Sequence, residues 1–132
     1  MPHRSPALTA TVYAKDARRL AGFYAGVLGL GRVEEGASFV VLAAPGVELA
    51  IVQASPEIAD SIVLADPPDV REGTPMKLSF VVDDVERLRA VVVRLGGGLA
   101  APDAAWSWRG HRHLDGWDPE GNLLQLRQAV AP

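Results

Sequence analysis

Apolar and polar positions follow two successive series along this chain, and each series predicts a strand, a helix and then three strands. In the first series, residues 8–14 have strand character, and apolar residues recur with helical spacing between Asp16 and Gly29. In the second series, residues 78–82 have strand character, and an apolar stripe of helical spacing follows Asp84. Aspartate directly before such a stripe is a common helix cap, so we expect one helix to begin after each aspartate.

Shorter strand-like runs complete each series. In the first half they cover residues 32–34, 38–43 and 47–53, and in the second they cover residues 99–101 and the two arms of a hairpin within 111–128. The hairpin is predicted from its turn, residues 118–122. Pro119 has the φ that the second position of a type I turn requires, and Gly121 tolerates a positive φ.

The two series overlay with a constant offset of 68 positions, which is about half of the chain. The coincident pairs are Asp16 with Asp84, Arg19 with Arg87, Leu20 with Leu88 and Gly29 with Gly97. Such an offset predicts an internal duplication. We therefore predict an α+β fold of two βαβββ modules that form a curved mixed sheet, with the helices outside and a concave ligand cavity inside. The modules would cover residues 8–53 and 76–128 of a single domain, 1–132, with a connector at 54–75.

Composition and charge narrow the function classes. The chain has 132 residues, no cysteine and a formal net charge of −3. Disulfides, thiol catalysis and zinc–thiolate sites are therefore excluded, and the lack of a basic cluster argues against nucleic acid. No apolar run approaches the roughly 20 residues of a membrane span. The first residues lack the apolar block of a signal peptide, which leads us to expect a cytoplasmic protein.

Two motifs together carry a family resemblance that extends from about residue 8 to 128. They are Phe23-Tyr24 with Val27-Leu28-Gly29-Leu30 in the first half, and Asp118-Pro119-Glu120-Gly121-Asn122 followed by Gln125-Leu126 in the second. On these residues the chain resembles the vicinal oxygen chelate superfamily, which contains glyoxalases, bleomycin-resistance proteins and ring-cleaving dioxygenases. The resemblance implies a glyoxalase-like domain with a small-molecule cavity, and it implies a homodimer.

The same resemblance implies four positions for the metal ligands of metal-dependent members. These positions are Thr9, Glu48, Lys77 and Gln125. Divalent metal sites with catalytic roles favour histidine and carboxylate ligands, whereas a lysine ammonium repels a metal ion. We therefore predict no metal and no cofactor, and we predict that the four residues contribute instead to ligand binding.

Two further groups of residues are candidates for the ligand site. Trp106 and Trp108 precede the hairpin, where a planar ligand could stack on them, although core or dimer-interface packing is an alternative. His111 and His113 are two residues apart and face one side of a strand. They could form a metal or acid–base pair, but the resemblance favours a polar surface that faces solvent.

Three functions follow from these patterns. The favoured one is a non-catalytic protein that binds a small aromatic or amphipathic molecule in the manner of bleomycin-resistance proteins. The alternative is a divergent lyase, isomerase or dioxygenase-like enzyme that uses Lys77, Glu48 or the two histidines, with the lysine as a base if its cavity is dry. A dimeric accessory module without a small ligand is the third.

Overall fold

The computed structural model describes residues 6–130, and these residues form two compact units that meet in sequence between Val63 and Leu64. This boundary lies within the predicted connector, 54–75. The grouping of both modules into one domain stays a prediction. Within the described residues, no helix is both long enough and apolar enough to cross a membrane.

The first unit is a mixed sheet with a long helix against one face. Its elements are β1 (Leu8–Ala14), α1 (Ala17–Leu28), β2 (Gly31–Glu35), β3 (Phe39–Ala44), β4 (Val47–Gln53) and α2 (Pro56–Ser61). The strand order is β1-β4-β3-β2, and only the β1–β4 pair is parallel. The connector thus contains a short helix, α2, because Ser55 caps it and Pro56 occupies its first position.

The second unit repeats this arrangement. Its elements are β5 (Leu78–Val81), α3 (Val85–Arg94), β6 (Gly98–Leu99), a 3-10 turn (Pro102–Ala104), β7 (Trp106–Trp108), β8 (His111–Trp117) and β9 (Leu123–Ala129). The strand order β5-β9-β8-β6 matches that of the first unit, and β7 pairs with β8 beside β6. The α+β class and the repeated βαβββ order are confirmed, and the second unit adds the short strand β7. The strand predicted at 99–101 is Gly98–Leu99 in the structure, and the 3-10 turn Pro102–Ala104 follows it.

Matching hydrogen bonds begin the two long helices. The Asp16 side chain accepts a hydrogen bond from the backbone N–H of Arg19 at 3.1 Å. The Asp84 side chain accepts one from the backbone N–H of Arg87 at 3.2 Å. Two glutamines provide a second match. Gln53 Oε1 accepts from the first N–H of α1 at 2.9 Å, and Gln128 Oε1 accepts from the first N–H of α3 at 2.7 Å. The last strands therefore bind the helix N-termini in both repeats.

The helix ends differ by two residues between the repeats. Gly29 ends α1 in the left-handed conformation, with a φ of 69°. The offset of 68 assigns the same role to Gly97, but the residue with positive φ after α3 is Gly96, at 96°. This detail of the overlay was wrong because α3 stops earlier, at Arg94.

Each sheet has one face that is buried against its long helix. In the first unit the buried side chains of this face include Leu42, Leu49 and Ile51, and in the second they include Leu114, Leu124 and Leu126. Side chains alternate between the two faces of a strand, so the intervening residues lie on the opposite face. We call that opposite face of each sheet its open face.

Glu86 in the first turn of α3 makes stability depend weakly on pH. The side-chain hydrogen bonds from Arg89, at 2.7 and 2.8 Å, lower the pKa of Glu86, and desolvation opposes them. The unfolded chain therefore takes up this proton first as the pH falls. The resulting stabilisation is present above the ordinary pKa of glutamate, about 4.3, and is lost as the pH falls through the lower pKa of the folded state.

Replacing Glu86 by glutamine should lower the free energy of unfolding by less than about 1 kcal/mol near pH 7, because solvent screens this partly exposed pair. The difference from the parent protein should shrink as the pH falls below the ordinary pKa of glutamate, and it should vanish below the lowered pKa of Glu86 in the folded state. Urea unfolding of both proteins across this pH range measures it. A difference that is constant with pH would show that the carboxylate charge is not responsible.

Candidate active surface of the second sheet

Polar side chains gather on the open face of the second sheet. Register places Ser79 beside Gln125 and Gln125 beside Asp115, so one row of neighbours crosses three strands. Lys77 precedes Ser79 by two residues, and its Nζ lies 2.8 Å from Oδ1 of Asp115. His113 lies on the same face of β8 as Asp115. Three of these residues, Ser79, Asp115 and His113, were not assigned to the site by the ligand positions that the family resemblance implies.

Gln125 is the centre of this row. Its Oε1 accepts a hydrogen bond from Ser79 Oγ at 2.8 Å and lies 3.0 Å from Nδ1 of His113. Nε2 of His113 lies 3.0 Å from the backbone carbonyl of Trp108. Each ring nitrogen of His113 therefore faces an oxygen acceptor, the Trp108 carbonyl at Nε2 and Gln125 Oε1 at Nδ1. The favoured interpretation of His113 as solvent-facing was wrong, because only 1% of the residue is exposed.

Both predicted tryptophans lie on the strand next to this row. The β7–β8 pairing sets Trp106 opposite His113 and Trp108 opposite His111. The Trp106 indole stacks on the buried His113 ring, with centroids 5.4 Å apart and planes 11° apart. Trp106 remains 41% exposed and Trp108 59% exposed, so each presents a large aromatic surface to solvent. We call Trp106, Trp108 and the turn that follows them the tryptophan hairpin.

A tight turn determines this placement. Arg109 and Gly110 join β7 to β8, and both have positive φ, at 50° and 73°. Two such residues form the type I′ turn whose twist matches that of the flanking strands. Gly110 adopts this conformation freely, whereas Arg109 does so at a cost of roughly 1 kcal/mol. The sequence pattern did not predict this hairpin, because the usual residues at the first position of such a turn are asparagine, aspartate and glycine.

The remaining two predicted positions lie in the first unit. Thr9 of β1 and Glu48 of β4 are cross-strand neighbours on the open face of the first sheet. Thr9 is exposed and Glu48 is partly buried. The matching glutamines Gln53 and Gln128 show that the last strands overlay with an offset of 75. With this offset, Glu48 corresponds to Leu123 and Gln125 corresponds to Ala50. Glu48 and Gln125 therefore do not occupy equivalent positions in the two repeats.

The four positions do not fit a catalytic divalent metal ion. Glu48 is the single conventional ligand among them, and Thr9 is a weak neutral donor. Lys77 brings a positive charge that is already paired with Asp115. Gln125 Oε1 already has two partners, Ser79 and His113. Within residues 6–130, no group of three or more histidine and carboxylate side chains has an arrangement that could hold a metal ion.

Lys77 has neither the surroundings nor the partners of a catalytic base. Its side chain is 31% exposed, so it is not in a dry cavity. Besides the ion pair with Asp115, its Nζ lies 5.5 Å from the centroid of the Trp106 ring. The ion pair and the ring contact are interactions that a lysine side chain makes at a partly exposed surface. The lysine therefore serves the surface as a fixed positive charge beside an aromatic ring.

A protein family and several solved structures match this chain and share its fold. A glyoxalase-like domain family matches residues 9–127. A glyoxalase/bleomycin resistance protein/dioxygenase family enzyme from Burkholderia phytofirmans PsJN superposes with a TM-score of 0.71 at 20% identity, covering 96% of this chain and 100% of that one. The fosfomycin resistance protein FosX from Mesorhizobium loti superposes with a TM-score of 0.61 at 17% identity, covering 98% and 95%. At these identities the solved structures show the fold alone. No curated protein matches this chain.

Proposed function

We propose that this chain, which belongs to the glyoxalase-like domain family of the vicinal oxygen chelate superfamily, binds a small planar or amphipathic molecule and uses no metal ion to do so. The site of the proposal is the open face of the second sheet at the tryptophan hairpin. One observation carries it: the exposed Trp106 indole is fixed by its stack on the buried His113 ring.

A fixed and exposed indole favours binding. Tryptophan offers a large apolar surface, and an offset stack with a second ring contributes about 0.5–1.5 kcal/mol beyond burial. A side chain that is already ordered loses little conformational entropy when a ligand arrives. Exposed tryptophans that are held in this way are typical of binding surfaces rather than of ordinary protein surface.

The polar residues of the same face support binding over catalysis. Gln125, His113 and Lys77 each have defined partners within the second unit, namely Ser79, the carbonyl of Trp108 and Asp115. A group with satisfied hydrogen bonds is well suited to hold its neighbours in position. In this proposal the row therefore fixes the shape of the surface, and the tryptophans contact the ligand. Thr9 and Glu48 contribute a second polar patch on the first sheet.

Removing the Trp106 indole should weaken ligand binding at least tenfold, since a stacked aromatic contact of this size is worth about 1.4 kcal/mol or more. The test is a titration of a panel of aromatic compounds followed through the indole N–H signals in NMR spectra. The signals of Trp106 and Trp108 should shift, and that of Trp117 should not. Trp106→Ala should lose the response, whereas Ile58→Ala, which removes an exposed apolar side chain from the first unit, should retain it.

Metal dependence is tested with the same titration. The affinity should be unchanged by a chelator, because the proposal includes no metal ion. A stoichiometric divalent ion in protein purified without chelators would contradict this part of the proposal. Absence of any response from Trp106 and Trp108 across a varied panel would contradict the binding function itself.

The proposal also includes a homodimer in the cytoplasm. The dimer rests on the resemblance to the family. Neither nucleic acid nor a membrane is included as a partner, since the net charge is −3 and no basic cluster occurs in the sequence. Analytical ultracentrifugation across a range of concentrations measures the oligomeric state.

A further inference from the structure

Arg109 occupies a backbone position that an arginine does not favour. It is the sole non-glycine residue with positive φ within residues 6–130. The first position of a type I′ turn is usually asparagine, aspartate or glycine, because these residues adopt the left-handed conformation with less strain. Backbone strain of this kind is found preferentially at functional sites, where the side chain has a role that a relaxed residue could not perform.

The side chain of Arg109 lies beside the proposed ligand surface. Its guanidinium carbon is 5.5 Å from the centroid of the Trp108 ring, and the residue is exposed. Within the described residues, its guanidinium forms no ion pair with a carboxylate. The guanidinium lies over the Trp108 ring and is exposed, so its N–H donors can reach a molecule that is stacked on the hairpin.

A second arginine adds positive charge to the same end of the sheet. Arg127 Nη2 lies 3.2 Å from Nδ1 of His111, which itself lies 3.0 Å from the carbonyl of Arg109. Nε of Arg127 is buried and has no hydrogen-bond partner. The acidic residue of this surface, Asp115, is paired with Lys77. Within residues 6–130, neither Arg109 nor Arg127 forms an ion pair with a carboxylate, and Arg109 lies beside the exposed Trp108 ring.

We propose that the ligand of the tryptophan hairpin is a planar aromatic anion, and that Arg109 is the residue that recognises its anionic group. The inference rests on the proposed function, because it specifies the ligand of the same surface. The aromatic ring stacks on the indoles, and the guanidinium donates two parallel hydrogen bonds to the oxygens of a carboxylate or a similar group. The strained turn is what places these donors beside the rings.

Two ligands of the same shape and different charge test this assignment. 2-Naphthoate is a planar aromatic anion, and 2-naphthamide is its neutral counterpart. NMR titration of the parent protein should give a Kd for naphthoate that is about tenfold lower than for naphthamide, as expected for charge-assisted hydrogen bonds. In Arg109→Asn, naphthoate binding should weaken by about tenfold and naphthamide binding should change by less than about twofold.

The stability of the same variants separates recognition from a structural role. Asparagine suits a type I′ turn better than arginine, so Arg109→Asn should raise the urea midpoint of unfolding while it weakens naphthoate binding. Arg109→Lys keeps the charge and should recover part of the preference for the anion. Arg87→Asn, which removes an exposed arginine from α3, should change neither ligand's affinity.

Two results would overturn the inference and are distinguishable. If naphthamide binds at least as tightly as naphthoate, or if Arg109→Asn weakens both equally, the anion assignment is wrong and the binding function stands. If neither compound nor any of the wider aromatic panel shifts the Trp106 and Trp108 signals, the proposed function fails together with the inference.

Discussion

Replacing Gly121 by alanine is expected to lower the free energy of unfolding of the second unit by more than about 3 kcal/mol, or to prevent its folding. Gly121 has a φ of 79°, and a Cβ at this position would lie only 2.0 Å from the backbone carbonyl oxygen of Asp69. The opposing atom belongs to a backbone that is itself held, since Arg71 donates its N–H to the carbonyl of Gly121 at 2.8 Å. Neither backbone segment can move away from the other without breaking this hydrogen bond.

Gly110→Ala is the matched control for this substitution. Gly110 has a similar φ of 73°, but no atom lies within 4 Å of an added Cβ. Its replacement should cost only the backbone strain, about 1–2 kcal/mol. Urea unfolding of both variants, followed by far-UV circular dichroism, gives the two values. An equal loss of unfolding free energy in the two variants would mean that the close approach of the Asp69 carbonyl does not constrain the turn.

This turn illustrates what local sequence determines and what it does not. Residues 118–122 were predicted to form it, and Asp118 does accept backbone hydrogen bonds from Glu120 and Asn122 at 2.9 and 3.0 Å. These interactions are local, and the types of residue that make them are specific. The packing of residues 69–71 on Gly121 was not predicted, because nothing in the local pattern identifies a contact that spans some fifty residues of chain.

The helices were predictable for the same reason. Each cap and each apolar stripe repeats a short pattern, and the two copies reinforce each other at Asp16 and Asp84. Strand β7 was not predicted, since three residues are too few to show an alternating pattern. Its existence depends on a turn with an arginine at the first position, which the usual preferences for hairpin turns do not identify.

The candidate site was predictable in part. Trp106 and Trp108 were proposed from their proximity to the hairpin, and the structure places both on β7 with exposed rings. His113 was interpreted as a surface residue, because two histidines in an alternating strand give no indication of burial. Its position follows from Gln125 on one neighbouring strand and Trp106 on the other, and cross-strand pairing of this kind is set by register. Register is the property that a single sequence determines least well.

The second large effect is expected at His113. Replacing it by leucine should lower the free energy of unfolding by about 2 kcal/mol and abolish the response of Trp106 to ligands. Leucine fills much of the volume, but the carbonyl of Trp108 then loses its donor and Gln125 loses one of its two partners. The stack that orders the Trp106 indole is lost as well. His111→Leu should lower the free energy of unfolding much less, because His111 is partly exposed and its ring stacks on neither Trp106 nor Trp108.

A double variant distinguishes a hydrogen-bonded row from simple packing. When one partner of a buried hydrogen bond is removed the other is left unsatisfied, whereas removal of both costs less than the two separate losses. His113→Leu combined with Gln125→Leu should therefore destabilise the unit by less than the sum of the single variants. Ligand binding should remain absent in the double variant, since neither leucine restores the stacked ring. Strictly additive losses would mean that Gln125 and His113 act independently, and the row could not then be the framework that fixes the tryptophan hairpin.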